Sequence, residues 1–214
     1  MLSIITTSDG SHTIKNESTG DTYHSIHGAV QESNHVFIQN GLQYFLRFNK
    51  KETVRILEVG FGTGLNALLT IKASGDNAVE YTTLEPNLLP PEIYMSLNFN
   101  DRETLLRLHQ CDCEKPKMIT SGFTLIKHQT TLQLATLPKN HFDLVYFDAF
   151  APNSQPEMWT LDVFKKIKSL MFTPSIFVTY CAKGQVKRDL KSAGFTVESI
   201  PGPPGKREMV RAGC

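Results

Sequence analysis

The sequence predicts an α/β fold with a mostly parallel, doubly wound sheet, and three observations carry that prediction. From residue 53 onward, short runs rich in branched residues alternate with helical repeats. The first such run, "VRILEVG", breaks directly into closely spaced glycines. The last two runs, "FTVESI" and "REMVRA", flank the tight loop "PGPPGK", so the C-terminal strand is expected to be antiparallel. Strands separated by helices must pair in parallel, because a crossover helix returns the chain to the same end of the sheet.

Each element follows from its residues. "SIITTSDGSHTIKN" reads as two short strands around the turn pair Asp9-Gly10, and "HVFIQNGLQYFLRF" as a short helix leading into the main domain. Residues 1–50 are therefore expected to form a small β extension packed on the core, and 51–214 the principal domain. After "VRILEVG", the stretch "GLNALLTIKAS" places Leu65, Leu68, Leu69 and Lys72 at helical spacing. "VEYTTLEP" is a second strand. "PPEIYMSLNF" and "RETLLRLHQ" are expected helices, the first opened by prolines that suit a first turn. "GFTLIKH" and "FDLVYFDAF" are the third and fourth strands. "TLDVFKKIKSLM" is an amphipathic helix with Thr160 as its N-cap. "SIFVTYCA" is the fifth strand, and "KGQVKRDLKSAG" a helix closed by Gly194.

Composition excludes several classes. At 214 residues, 40% apolar and 20% charged, the chain matches an ordinary soluble domain. No stretch approaches the roughly 18 apolar residues of a membrane helix, and "MLSIITTSDGSHT" lacks a secretory signal's apolar segment. A cytoplasmic location is expected. Cys111, Cys113, Cys181 and Cys214 show no CxxC spacing, and the seven histidines no HExxH, so no metal is expected. The net charge is +1, yet residues 183–211 hold seven basic and three acidic residues, a local excess of +4. A solvated helix face accounts for that excess as simply as an anionic partner does.

In doubly wound sheets, ligands bind beyond the carboxyl ends of the strands, so sites are expected after residues 59, 85, 127 and 148. In "LEVGFGTGLN", Gly60, Gly62 and Gly64 permit a tight turn and close backbone approach. A dinucleotide fingerprint would need glycine where Leu65 stands, and no Gly-Lys-Ser/Thr follows for a P-loop. Glu58, two residues before the first glycine, suits a cationic ligand better than a pyrophosphate. This E-x-G-x-G-x-G turn resembles that of the Rossmann-like class I methyltransferase fold, which binds S-adenosylmethionine. Glu85, at the tip of the second strand, can accept both hydroxyls of a ribose. Many methyltransferases of this fold carry an acid after the third strand for the adenine amino group. Here Gln129 is the substitute, through its side-chain carbonyl.

The fourth strand ends in Asp148, beside the expected sulfonium. An amine acceptor must lose a proton before its lone pair attacks, and a carboxylate there can orient and deprotonate it. Phe150 and Pro152 form an expected wall for a planar base, and Trp159 an anchor for the following helix.

"LEVGFGTGLN", "DAFAPNSQPEMWT", "AGFTVESIPGPPGKREMVRA" and "YHSIHGAVQESNHVFIQNGL" together closely resemble one family, the methyltransferase domain of MnmC-type tRNA wobble-uridine modification enzymes. The resemblance covers nearly the whole chain. It implies methylation of the aminomethyl group on position 5 of a wobble (2-thio)uridine, with S-adenosylmethionine as donor. It also implies that Gly60, Gly62, Gly64 and Glu85 surround the cofactor and that Asp148 meets the acceptor amine. The full expected cofactor set is Glu58, Gly60, Gly62, Gly64, Leu65, Asn66, Glu85, Gln129 and Asp148. Phe150, Pro152, Lys183, Lys206 and Arg207 are the expected tRNA contacts, the cations (with Arg188) holding anticodon-loop phosphates. An internal Arg207–Glu208 pair is the competing expectation for that loop. The fused family members carry a flavin-dependent oxidoreductase domain, for which 214 residues leave no room, so a separate enzyme is expected to supply the aminomethyl group. Two alternatives stand beside this reading: a transferase of the same fold acting on a small amine, and a non-catalytic RNA-binding module.

Overall fold

The computed structural model describes residues 1–214. β1 (Leu2–Thr6) and β2 (His12–Asn16) form an antiparallel hairpin around Asp9-Gly10. The helix that follows is longer than its sequence suggests. It starts at α1 (Ala29–Ser33), passes through a π-helical segment, Asn34–Gln43, and ends as α2 (Tyr44–Phe48). Its buried residues Val36, Phe37, Leu42 and Phe45 join the same core as Ile56, Tyr81 and Tyr146, so residue 50 marks no break in packing.

The glycine turn separates β3 (Thr53–Val59) from α3 (Leu65–Ala73), and β4 (Ala78–Leu84) follows. The expected helix over residues 90–99 shrinks to α4 (Pro91–Tyr94). Beyond it the chain turns to hold the hairpin: His12 N donates to Asn98 Oδ1 (2.7 Å) and Asn98 Nδ2 to Gly10 O (2.9 Å). α5 (Arg102–Gln110) is capped by the Asp101 side chain. β5 (Lys117–Thr120) is an additional edge strand, antiparallel to β6 (Phe123–His128). Its "KMIT" holds too little apolar residue to announce itself. β7 (Phe142–Phe147), α6 (Leu161–Leu170), β8 (Met171–Thr179), α7 (Gly184–Ser192), β9 (Thr196–Pro201) and β10 (Glu208–Gly213) complete the chain. Thr160 caps α6, as its position predicts.

The eight-stranded sheet runs β5-β6-β4-β3-β7-β8-β10-β9, with the five central strands parallel and β10 antiparallel to both neighbours. Two-residue alternation assigns the central strands to two cores. Leu144 and Tyr146 pack beneath α3, α5 and the N-terminal helix, while Val145 and Phe147 face α6 and α7. All four are wholly buried, as strands covered on both faces must be. No helix is long and apolar enough to cross a membrane.

Candidate active site

Strand order reverses between β3 and β7, so their carboxyl ends open a crevice there. A cavity of about 630 Å³ occupies it. Its floor is the turn after β3, where Gly60 (φ +95°) and Gly62 (φ +48°) hold left-handed conformations. A Cβ on Gly60 would stand 2.6 Å from the Asp148 carbonyl oxygen, so only glycine lets the two strand ends meet. Glu85 at the tip of β4 lines one end. Its Oε2 accepts from Gly62 N (3.0 Å) and its Oε1 from Asn87 N (2.9 Å), which fixes the carboxylate by backbone alone. Each oxygen keeps a second lone pair for a ligand hydroxyl. Burial raises the Glu85 pKa against the two backbone bonds.

Asp148 lines the cavity at the end of β7. Asn66, on the first turn of α3, donates Nδ2 to Asp148 Oδ2 (2.8 Å). The Asp148 pKa is pushed up to about 7, first by burial and then by the Glu32 carboxylate, against the Asn66 bond and the Lys206 cation. Phe150 follows, its ring edge-on to Tyr23 at 5.1 Å. Trp159 is an anchor: it is buried, donates Nε1 to Phe150 O (2.7 Å) and packs edge-on against Phe147.

The roof comes from distant segments. Tyr23, His24 and Glu32 of the N-terminal region, Tyr180 beyond β8, and Lys206 of the last loop all line the cavity. Lys206 Nζ pairs with Glu32 Oε1 and lies 3.8 Å from the Tyr180 ring centroid. Glu32 Oε2 accepts from Ser25 N (2.7 Å). His24 sits between Thr13 Oγ1 (3.2 Å) and Thr63 Oγ1 (3.3 Å), and burial lowers its pKa to about 4.

Of the residues singled out by sequence, Gly60, Gly62, Glu85, Asp148, Phe150 and Lys206 meet in this cavity, and the others do not line it. Glu58 is wholly buried. Its register partners are Thr83 on β4 and Tyr146 on β7, so its side chain lies within the sheet's packed face. Gly64 caps α3, Leu65 belongs to the core, and buried Asn66 reaches the cavity only through Asp148. Gln129 is exposed, and Thr130, Thr131 and Leu132 line the cavity in its place. Pro152 lies outside the lining, and exposed Lys183 donates to Asn153 Oδ1 (2.7 Å). Arg207 is exposed, and the Arg207–Glu208 pair does not form, because Glu208 takes Lys187 at 3.1 Å. Lys206 is engaged inside the cavity with Glu32 rather than offered to phosphates.

Sequence reasoning missed Tyr23, His24, Glu32 and Tyr180. Extending the strand-end rule to the fifth strand would have found Tyr180. Nothing local marks Glu32, whose position depends on a helix folding over a distant strand end.

A family model described as S-adenosyl-L-methionine-dependent methyltransferase matches residues 89–214, more than half of the chain. The chain belongs to that methyltransferase family. S-adenosylmethionine is accordingly its cofactor, and the glycine floor with the Glu85 carboxylate fits an adenosine-bearing ligand. The chain is also similar to the tRNA 5-methylaminomethyl-2-thiouridine biosynthesis bifunctional protein MnmC of Burkholderia multivorans, at 30% identity over 92% of this chain and 33% of that protein. The Idiomarina loihiensis protein of the same name is 29% identical over 89% of this chain and 35% of its own length. The chain thus spans about a third of the length of these curated relatives. Among solved structures, MnmC2 from Aquifex aeolicus superimposes with a TM-score of 0.80 at 27% identity, covering 99% of this chain and 70% of that one. Spermidine synthase from Thermotoga maritima superimposes at 0.60 with 10% identity over 100% of this chain and 79% of its own, a likeness of fold alone.

Proposed function

We propose that this chain methylates the aminomethyl nitrogen on position 5 of a wobble uridine or 2-thiouridine in tRNA, giving the 5-methylaminomethyl nucleoside. The observation that carries the reading is Asp148. It is a carboxylate at the switch point, between the glycine floor and an aromatic wall of Tyr23, Phe150 and Tyr180, with a pKa close to neutral. The names and the extent of the similar proteins support the tRNA substrate.

When bound, S-adenosylmethionine supplies an electrophilic methyl group, and the residues of the chain prepare the acceptor. An aminomethyl group arrives protonated and cannot attack until it loses that proton. Asp148, ionised near neutral pH, accepts the proton and holds the nitrogen, while Asn66 fixes one of its oxygens. Phe150 and Tyr23 offer ring surface to the uracil. Gly60, Gly62 and Glu85 would hold the cofactor's adenosine, and Thr130, Thr131 and Leu132 of the same lining would receive its adenine. Lys187, Lys206 and Arg211 are paired with Glu208, Glu32 and Glu198, and of the four remaining cations of this region (Lys183, Arg188, Lys191 and Arg207) we assign Lys183, Arg188 and Arg207 to anticodon-loop phosphates. A separate reaction must first install the primary amine.

Incubation with labelled donor and tRNA lacking the methyl group tests the reading. Label should appear in a wobble uridine on nucleoside analysis. Transfer to a free polyamine and none to tRNA would overturn it in favour of a small-amine transferase.

A further inference from the structure

Outside the cavity lining, Glu58 Oε1, Tyr81 Oη and Asn66 Oδ1 are buried polar atoms with no hydrogen-bond partner. They lie together, since the Glu58 carboxyl faces both the Tyr81 hydroxyl and the Asn66 amide. The other Glu58 oxygen, Oε2, accepts from Thr83 Oγ1 at 2.7 Å. Asn66 spends its Nδ2 on Asp148, so its amide orientation is fixed and Oδ1 must point back into the protein. Tyr81 brings one hydrogen to this group, and two acceptors await it. An ionised Glu58 would leave Asn66 Oδ1 against a buried carboxylate, at the cost of an unsatisfied polar group.

We propose that Glu58 is a positioning residue, a neutral carboxylic acid that donates its proton to Asn66 Oδ1 and thereby holds Asn66 Nδ2 on Asp148. Tyr81 then donates to Glu58 Oε1, Thr83 to Oε2, and all three atoms of this group are satisfied. Asp148 keeps one oxygen tied to Asn66 and the other available to the acceptor. The charges are consistent. No cation acts on Glu58, and the one charged neighbour that does, Asp148, is an acid; burial first, and then that acid, raise the Glu58 pKa to about 8 against the lowering contacts with Thr83, Tyr81 and Asn66. The residue two places before the glycines thus serves the acceptor side of the site, through α3.

The effect on turnover rests on the proposed methyl transfer, and the protonation of Glu58 does not. Infrared spectra of the native protein at pH 7 should contain the carbonyl stretch of a protonated acid that Glu58→Gln removes. Glu58→Leu should lower kcat at least about tenfold, the scale of a displaced reacting group, with cofactor Kd within about threefold by calorimetry. Glu58→Gln keeps a donor toward Asn66 and should restore kcat to within about threefold, with the pH profile unmoved. A spectrum without the Glu58 band overturns the inference whatever the acceptor proves to be. So does a Glu58→Gln protein as slow as Glu58→Leu, or a cofactor Kd weakened more than about tenfold in Glu58→Gln. If Glu58→Leu fails to fold, the infrared band and the Glu58→Gln kinetics still decide. If the native protein transfers nothing to tRNA, the acceptor reading fails while the band and the calorimetry stand.

Discussion

The two halves of the cavity are built differently. The half we propose for the cofactor is built on backbone at strand ends, chiefly the β3 turn and the tip of β4, with Glu85 clamped by two main-chain N–H groups. The half we propose for the acceptor is assembled from side chains of distant segments: Tyr23 and Glu32 of the N-terminal region, Asp148, Tyr180 and Lys206. Backbone clamps resist substitution of neighbours, whereas an assembled wall depends on every partner. The halves should therefore fail separately, one in binding and the other in turnover.

The largest separation is expected at Asp148. Asp148→Asn keeps shape but cannot accept a proton, so kcat should fall about 10²–10⁴-fold while cofactor Kd stays within about threefold. Cofactor binding lost together with turnover would show that the halves are not independent. Native turnover should rise as pH climbs through about 7, where Asp148 ionises, and level off above it.

Next in size is Glu85. Glu85→Ala removes the carboxylate and leaves the N–H groups of Gly62 and Asn87 without it. Cofactor Kd should weaken about 10–100-fold, equivalent to roughly 1–3 kcal/mol, with kcat at saturating cofactor little changed. A fall in kcat with an unchanged Kd would assign Glu85 to the wrong half.

A smaller effect sharpens the acceptor half. Lys206 lowers the Asp148 pKa and Glu32 raises it. Lys206→Met should move the acidic limb of kcat to higher pH, and Glu32→Gln to lower pH, each by up to about one unit. Shifts of the same sign would contradict an electrostatic role for the pair.

This contrast also explains what the sequence disclosed. The proposed cofactor half lies largely in one glycine turn and one strand tip, so local rules about glycine and strand ends place Gly60, Gly62 and Glu85 in the cavity, whereas Thr130, Thr131 and Leu132 escape those rules. Asp148 is legible for the same reason. Glu58 is misjudged because an acid before a glycine turn looks ligand-facing until its register with Thr83 is known. Lys206 looks like a phosphate contact because its partner Glu32 is 174 residues away. The central parallel strands announce themselves by apolar runs. The edge strand β5 and the truncated α4 do not, since both are decided by what they pack against.

The smallest expected effect concerns the seam between the halves, where His24 joins the N-terminal roof to Thr63 of the glycine turn. Its folded pKa is about 4, depressed from the ordinary 6.5 by burial. A depressed base binds fewer protons in the native state than in the unfolded one. Its contribution to stability is therefore complete above about 6.5 and is lost as pH falls toward 4 and below. Glu58 and Asp148 act in the opposite sense, because their raised pKa values of about 8 and about 7 make the native state the better proton binder as pH falls. His109, also lowered to about 4, adds to the His24 trend. A single pH–stability curve mixes these terms, so the informative quantity is a difference. Denaturant unfolding of the native protein and of His24→Gln should differ by about 1 kcal/mol near pH 7.5, and the two curves should close and then cross as pH falls from 6.5 toward 4. Parallel curves across that interval would mean that His24 gains its proton without opening the seam, and the roof would then be as firmly attached to the glycine turn as the turn is to the sheet.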